Sequence, residues 1–193
     1  MKRISIPIDE TTARSLTIGD ELLLNGVIVT ARDAAHKYMV SEQPEDLKPL
    51  LKDGVIYHCG PIVKKVGDKW YMVGAGPTTS IREEPYEADV IRIYGVRGVI
   101  GKGGMGKKTL DACRQYGAVY LHAIGGCAAE LACTMVEVKE VRRLEFGTPE
   151  AFWVIEVVDF PCTVTMDSHG GSLHDKIEAD SKKVLDQLIG RTT

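Results

Sequence analysis

No two cysteines in this 193-residue chain are spaced C-x-x-C, and the total of five is odd. Cys59, Cys113, Cys127, Cys133 and Cys162 therefore make neither a disulfide framework nor a zinc ribbon. They stand among apolar residues and glycines, where a cysteine is ordinarily a small buried side chain. No apolar run approaches the ~20 residues that span a bilayer. Met1-Lys2-Arg3-Ile4-Ser5-Ile6-Pro7 lacks the apolar stretch of a signal peptide, so a cytoplasmic protein with no membrane association is expected. There is no basic excess either. The 24 Lys and Arg against 27 Asp and Glu leave a net charge of −3, which argues against a nucleic-acid partner. His36, His58, His122, His169 and His174 form no H-E-x-x-H or H-x-H pattern, and no metal-ligating residue is expected in this chain. A G-x-S-x-G elbow and a Cys–His hydrolase signature are also missing.

What is present reads as one α/β domain over residues 1–193. Ile4 to Ile8 reads as a strand. Glu21 to Leu24 and Val27 to Thr30 flank Asn25-Gly26, a strong hairpin signal. Asp33 to Val40 suits a short helix, Val55 to Cys59 a strand, and Ile62 to Lys65 with Lys69 to Val73 a second hairpin. From Pro85 onward helices and strands alternate. A helix opens at Pro85 with Ala88, Val90, Ile91 and Tyr94 on one face and Gly95 as its cap. A strand follows over Val96 to Ile100, then a helix over Lys107 to Tyr116 closed by Gly117. Next come a strand over Ala118 to Ile124 and a helix over Cys127 to Cys133. Trp153 to Val158 and Cys162 to Met166 read as strands, and His174 to Ile189 as a C-terminal helix. The expected architecture is a mixed sheet with a parallel βαβ portion in the C-terminal half and a more antiparallel N-terminal half.

Two turns stand out chemically. Gly76-Pro77-Thr78-Thr79-Ser80-Ile81-Arg82 combines three hydroxyls with a guanidinium, the preferred two-toothed partner of a carboxylate. Ser80 and Glu83 also fit a capping box. Gly101-Lys102-Gly103-Gly104 leaves backbone N–H groups free beside an ammonium. A third cation, Arg32, follows the strand-like Val29-Thr30-Ala31, with Asp33 as a candidate helix cap and His36 one turn on. Convergence of Arg32, Arg82 and Lys102 would suit a dicarboxylate. Gly101 to Gly106 also fits G-x-G-x-x-G. However, no acid lies between Asp111 and Glu130 to receive a ribose, and Lys108 replaces the Ser or Thr of a P-loop. A stand-alone anion- or nucleotide-binding module is the rival of another class.

Thr30-Ala31-Arg32-Asp33-Ala34-Ala35-His36, His58-Cys59-Gly60-Pro61, Gly76 to Arg82, Gly101-Lys102-Gly103-Gly104, Ile124-Gly125-Gly126-Cys127-Ala128-Ala129 and Val158-Asp159-Phe160-Pro161 occur in that order. Together they resemble the C-terminal domain of iron–sulfur-dependent class I fumarases and L-tartrate dehydratases, a separate β subunit in two-chain members. The resemblance covers about Ile6 to Ile189. It implies a single swivelling β/β/α domain, packed against an α subunit whose cysteines hold a [4Fe-4S] cluster. It further implies a hydro-lyase acting on malate and fumarate, with Arg32, Arg82 and Lys102 binding substrate and Thr78 and Lys102 catalytic. A homo-oligomer of αβ units is compatible with it. Ser80-Ile81 and Lys102-Gly103-Gly104-Met105 depart from the Ala-Gly and Lys-Gly-Asn-Arg of many one-chain fumarases. They also look like the tartrate dehydratase β subunit, which keeps L(+)-tartrate as the alternative substrate.

Overall fold

A computed structural model describes residues 1–190, so the last three residues of the expected 1–193 domain lie outside the described ones. The fold is α/β around a mixed seven-stranded sheet. In chain order its strands are β1 (Lys2–Ser5), β2 (Glu21–Thr30), β3 (Val55–Tyr57), β6 (Gly98–Gly101), β7 (Val119–His122), β8 (Met135–Arg142) and β9 (Phe152–Met166). A separate hairpin joins β4 (Ile62–Val66) to β5 (Lys69–Gly74), as the Gly67-Asp68 turn predicts. The spatial order is β1-β2-β3-β6-β7-β9-β8, and β9 also pairs with β2. Strands β2, β3, β6, β7 and β9 therefore close into a ring, which leaves few free sheet edges.

Strand alternation divides the core. Val55, Tyr57, Ile100, Val119 and Leu121 point to an inner cluster with Trp153, Ile155 and Phe160. Ile56, Val99 and Tyr120 point outward. There they pack under the helices α2 (Asp33–Glu42), α4 (Glu87–Tyr94) and α5 (Lys107–Tyr116), while α1 (Glu10–Ser15) follows β1 and α3 (Lys48–Leu51) precedes β3. A period of two with both faces buried explains the continuous apolar runs of these short strands. Gly95 and Gly117 close α4 and α5 in the left-handed conformation, as expected of C-cap glycines.

Four expectations fail, each for a physical reason. Asn25-Gly26 makes no hairpin: β2 runs straight through it with a bulge between Leu24 and Gly26. Gly26 sits at φ +124, where an added Cβ would lie 2.6 Å from the Ile6 carbonyl oxygen. The Asn25 side chain donates to Asp159 Oδ1 at 3.2 Å, and the Asp159 N–H donates to Asn25 Oδ1 at 3.0 Å. Long-range pairing with β1 and β9 on both sides thus overrides the local turn signal. In consequence the N-terminal half is largely parallel, since β1, β2 and β3 all run the same way. Third, Trp153–Val158 and Cys162–Met166 are one strand, because Pro161 tolerates the register with Leu23. Lastly, Pro85 does not open α4. A 3₁₀ turn over Ser80–Glu83 precedes it, and the helix begins at Glu87.

Candidate active site

All the parallel strands point their carboxyl ends to one side of the sheet, the ordinary place for a ligand in such folds. β2 ends just before Arg32, β3 before His58, β6 before Lys102 and β7 before Gly125. The Gly76–Arg82 turn is stitched onto this edge. The Thr78 N–H donates to His58 O at 2.7 Å, the Lys102 N–H to Thr78 O at 3.3 Å, and the Ser80 N–H to Lys102 O at 3.1 Å. Thr79 and Lys102 form an isolated parallel bridge. Thr78 and Lys102 are half-buried, and the Lys102 stem passes Gly125, where a Cβ would stand 3.4 Å from Lys102 Cδ. Among the described residues no carboxylate pairs with Lys102.

Arg32 is the N-cap residue of α2 and makes no side-chain cap itself. Its Nε lies 3.4 Å from Glu150 Oε1, yet it is buried without a hydrogen-bond acceptor. Gly60 makes room for it, since a Cβ there would collide with the guanidinium. Asp33 was expected to cap α2. Instead Glu150 Oε2 accepts from the Ala34 N–H at 2.9 Å, and Asp33 pairs with Arg82 through Oδ2. That ion pair draws the 3₁₀ turn onto α2, so Arg82 and Arg32 share one edge. It also means that Arg82, half-exposed, already faces a carboxylate.

The capping box of Ser80 and Glu83 does not form. Both residues are fully buried, and the Ser80 hydroxyl turns inward to His58 Nδ1 and Tyr120, each at 2.9 Å. Gly101 leaves the space for those two hydroxyls, because a Cβ there would overlap Ser80 Oγ.

The G-x-G-x-x-G reading loses its phosphate position. The N-terminus of α5 is occupied by Glu84, which accepts from the Gly106 N–H at 2.7 Å, the Lys108 N–H at 3.0 Å and the Thr109 hydroxyl at 2.6 Å. A phosphate would have to displace a carboxylate of the chain itself.

Just under this edge lie four polar residues that the sequence leaves without a role in the site, His36 being read there only as one turn into a helix and Glu83 as half of a capping box. His36, His58, Glu83 and Glu87 are all fully buried. Hydrogen bonds from both histidines hold the Glu87 carboxyl down to about 2, while burial drives the Glu83 carboxyl up to about 7. Neither Glu83 oxygen has a hydrogen-bond partner. One signal could have found them. Glu83, Glu87, Ile91 and Tyr94 recur at helical spacing, so two acids fall on the apolar face.

The cysteines do not fit an iron–sulfur cluster. Among the described residues no three of them converge. Cys59, Cys113 and Cys162 are buried, and burial pushes the thiols of Cys59 and Cys162 up to about 12, far from the thiolate that iron requires. No helix among the described residues is long and apolar enough to cross a membrane.

The sequence pattern of the family described as fumarase C-terminus matches residues 2–177. The chain belongs to this family. It is 50% identical over 187 residues to a protein of Geobacillus stearothermophilus provisionally named class I fumarate hydratase, and spans about 36% of that relative's length. It is 41% identical over 187 residues to the L(+)-tartrate dehydratase subunit beta of Escherichia coli K12, and spans 90% of that chain. A Methanocaldococcus jannaschii protein provisionally named for the same subunit is 44% identical over 181 residues, 93% of its length. The comparisons assign no role to any single residue.

Proposed function

We propose that this chain is the β subunit of a class I hydro-lyase that interconverts (S)-malate and fumarate plus water, working with an α subunit. The observation that carries this reading is the clustering of Arg32, Thr78, Arg82 and Lys102 on the carboxyl edge of the sheet, with Arg32 Nε buried and lacking an acceptor. A dicarboxylate supplies two anionic groups for such an edge. In our reading Lys102 takes up carboxylate directly, Arg32 does so beside its Glu150 contact, and Arg82 exchanges Asp33 for substrate. Fixed cations also stabilise the negative charge that develops when a proton leaves the carbon beside a carboxylate. In our reading the Thr78 hydroxyl, on a turn whose backbone is tied to Lys102, accepts that proton, and a cation of the site would have to lower its pKa for it to do so.

The half-site character points to a partner. Ile81 and Ile124, exposed by 51% and 65%, flank Arg82 and Gly125 as bare apolar residues. We assign any [4Fe-4S] cluster to the α subunit, because the cysteines here do not fit one. L(+)-tartrate is the second reading of substrate. It is favoured by the relatives so named, whose length this chain covers by 90% or more.

The test is reconstitution of the αβ complex under anaerobic conditions, followed by steady-state assays on malate, fumarate and L-tartrate. Turnover of malate is expected, and turnover of tartrate alone would move the assignment to the second reading. This chain without a partner is expected to hold no cluster and to show no turnover. Iron bound by the lone chain, or activity from it, would overturn the two-subunit reading.

A glycine-to-alanine change probes Arg32 without altering any charged residue. An alanine methyl at Gly60 would stand 2.9 Å from Arg32 Cδ and 3.0 Å from Pro149 Cβ, so the arginine must turn aside. KM is expected to rise about tenfold, the equivalent of about 1.4 kcal/mol of substrate binding, with a normal circular dichroism spectrum. An unchanged KM would remove Arg32 from the substrate site.

A further inference from the structure

Beneath the cationic edge lies a buried polar chain that the proposed chemistry does not use. His36, His58, Ser80 and Glu87 are fully buried, and so is Tyr120. Donor and acceptor chemistry, with the Glu87 carboxyl held down by both histidines, places the protons. A carbonyl oxygen can only accept, so His36 Nδ1, 2.9 Å from Arg32 O, must donate. His36 Nε2 and His58 Nε2 lie 3.0 Å and 2.9 Å from one oxygen, Glu87 Oε2. That oxygen belongs to an ionised carboxylate, so both nitrogens donate to it. His36 therefore carries two N–H groups and is an imidazolium. His58 uses Nε2 as donor, which leaves its Nδ1 lone pair to accept the Ser80 hydroxyl. Ser80 in turn accepts from Tyr120. The charges of His36 and Glu87 cancel, as a fully buried pair requires.

The surroundings favour this distribution. Glu87 and Glu83 raise the pKa of His36 against the effect of burial, and Glu83 Oε2 lies 3.6 Å from its Nδ1. His58 is driven down by burial and by the charge of His36, with Asp33 and Glu87 opposing. His36 Nε2, His58 Nε2 and Glu87 Oε2 lie close enough together to suit a metal ion. An imidazolium has no lone pair to give one.

We propose that this proton-locked His36–Glu87–His58–Ser80–Tyr120 chain is the positioning frame of the anion site. Three of its members, His36, His58 and Ser80, each bind the backbone of a site residue. His36 holds the Arg32 carbonyl through both its ring and its backbone N–H, the latter at 2.8 Å. His58 receives the Thr78 N–H on its own carbonyl, and Ser80 donates its own N–H to Lys102. Two strand ends and the Gly76–Arg82 turn are thus referred to one buried charge pair. These are positioning residues, since all are buried and none faces the open edge. The proposal rests on the reading of Arg32, Thr78 and Lys102 as groups of the substrate site.

The experiment begins with nitrogen NMR of the imidazole rings in the full ¹⁵N-labelled chain between pH 5 and 8. His36 is expected to keep both nitrogens protonated throughout, and His58 to remain neutral with its proton on Nε2. An ordinary titration of His36 in this range would overturn the proposal. So would a stoichiometric metal ion in the purified chain. Glu87→Gln is expected to discharge His36 and to shift the amide signals of Arg32, Thr78 and Lys102. Should that variant not fold, Ser80→Ala removes only the His58–Ser80–Tyr120 link. It should move the Thr78 and Lys102 amides and leave the His36 ring signals in place. Unmoved amides in a folded variant would overturn the positioning role whether or not the αβ complex is active. In the reconstituted complex Ser80→Ala is expected to lower kcat/KM about tenfold on malate, with normal kinetics counting against the frame. Failure of the wild-type complex on every dicarboxylate would instead sink the proposed function, leaving the NMR result to stand by itself.

Discussion

Valine in place of Thr78 is expected to lower kcat of the αβ complex by about 10²–10⁴-fold while KM changes little, the signature of a lost proton-transfer group. The structure makes this substitution unusually clean. The Thr78 backbone is fixed on both sides, its N–H to His58 O and its carbonyl to the Lys102 N–H. Valine has the shape of threonine, so the methyl that replaces the hydroxyl has no reason to move the turn. A half-buried hydroxyl is a poor base unless a cation lowers its pKa. Lys102, joined to Thr78 through the backbone and unpaired with any carboxylate among the described residues, is the cation we assign to that task. Thr78→Ser separates chemistry from packing, because it keeps the hydroxyl and removes the methyl. A role in proton transfer requires the serine variant to retain most of kcat. A role in positioning alone would have the valine variant act mainly on KM. Near-normal kcat in Thr78→Val would eliminate proton transfer by this hydroxyl and leave the base to the partner subunit.

Local signals were legible where a single residue decides the backbone. Gly95 and Gly117 cap their helices as their spacing demands, and Gly67-Asp68 turns the β4–β5 hairpin. The strand ends that carry Arg32 and Lys102 were legible for the same reason, since apolar runs stop there at glycine or charge. Pairing between distant segments was not legible. Asn25-Gly26 carries the hairpin signature, but β1 and β9 compete for both edges of that stretch and win by many more hydrogen bonds. The Asp33–Arg82 pair joins residues 49 apart, and no local pattern announces it. The buried charge pair under the site is a third kind of case. His36 and His58 sit in stretches that look like ordinary turns and caps, and only Glu83 and Glu87 on an apolar helical face hint that a charge is being satisfied inside. Buried polar networks violate local patterning, and so they mark places where the fold serves something other than stability.

Glu83 gives that violation a measurable cost. Its carboxyl is fully buried, and neither oxygen has a hydrogen-bond partner. Burial raises it to about 7 from an ordinary 4.5, with His36 and Arg82 pulling the other way. The raised value means that the folded chain holds this proton more tightly than the unfolded chain does. Stability from this group is therefore full below pH 4.5 and falls as pH rises towards 7, where folding has to bury a carboxylate that the unfolded chain leaves in water. At about 1.4 kcal/mol per pH unit the loss amounts to roughly 3 kcal/mol by pH 8. Glutamine keeps the shape and cannot ionise. Glu83→Gln should match the wild type near pH 4.5 in urea unfolding and exceed it by up to about 3 kcal/mol at pH 8. Glu87 does not confuse the comparison, because a carboxyl held down to about 2 stays ionised across the whole range. His36 is present in both proteins, and its imidazolium loses some support in the variant, which narrows the gap slightly and leaves its sign unchanged. The same carboxyl lies one residue from Arg82, so its ionisation sets a negative charge beside a cation meant for substrate. Stability curves that run parallel from pH 5 to pH 8 would show that Glu83 keeps an ordinary carboxyl in the fold, and that its charge is met by His36 or by water at every pH.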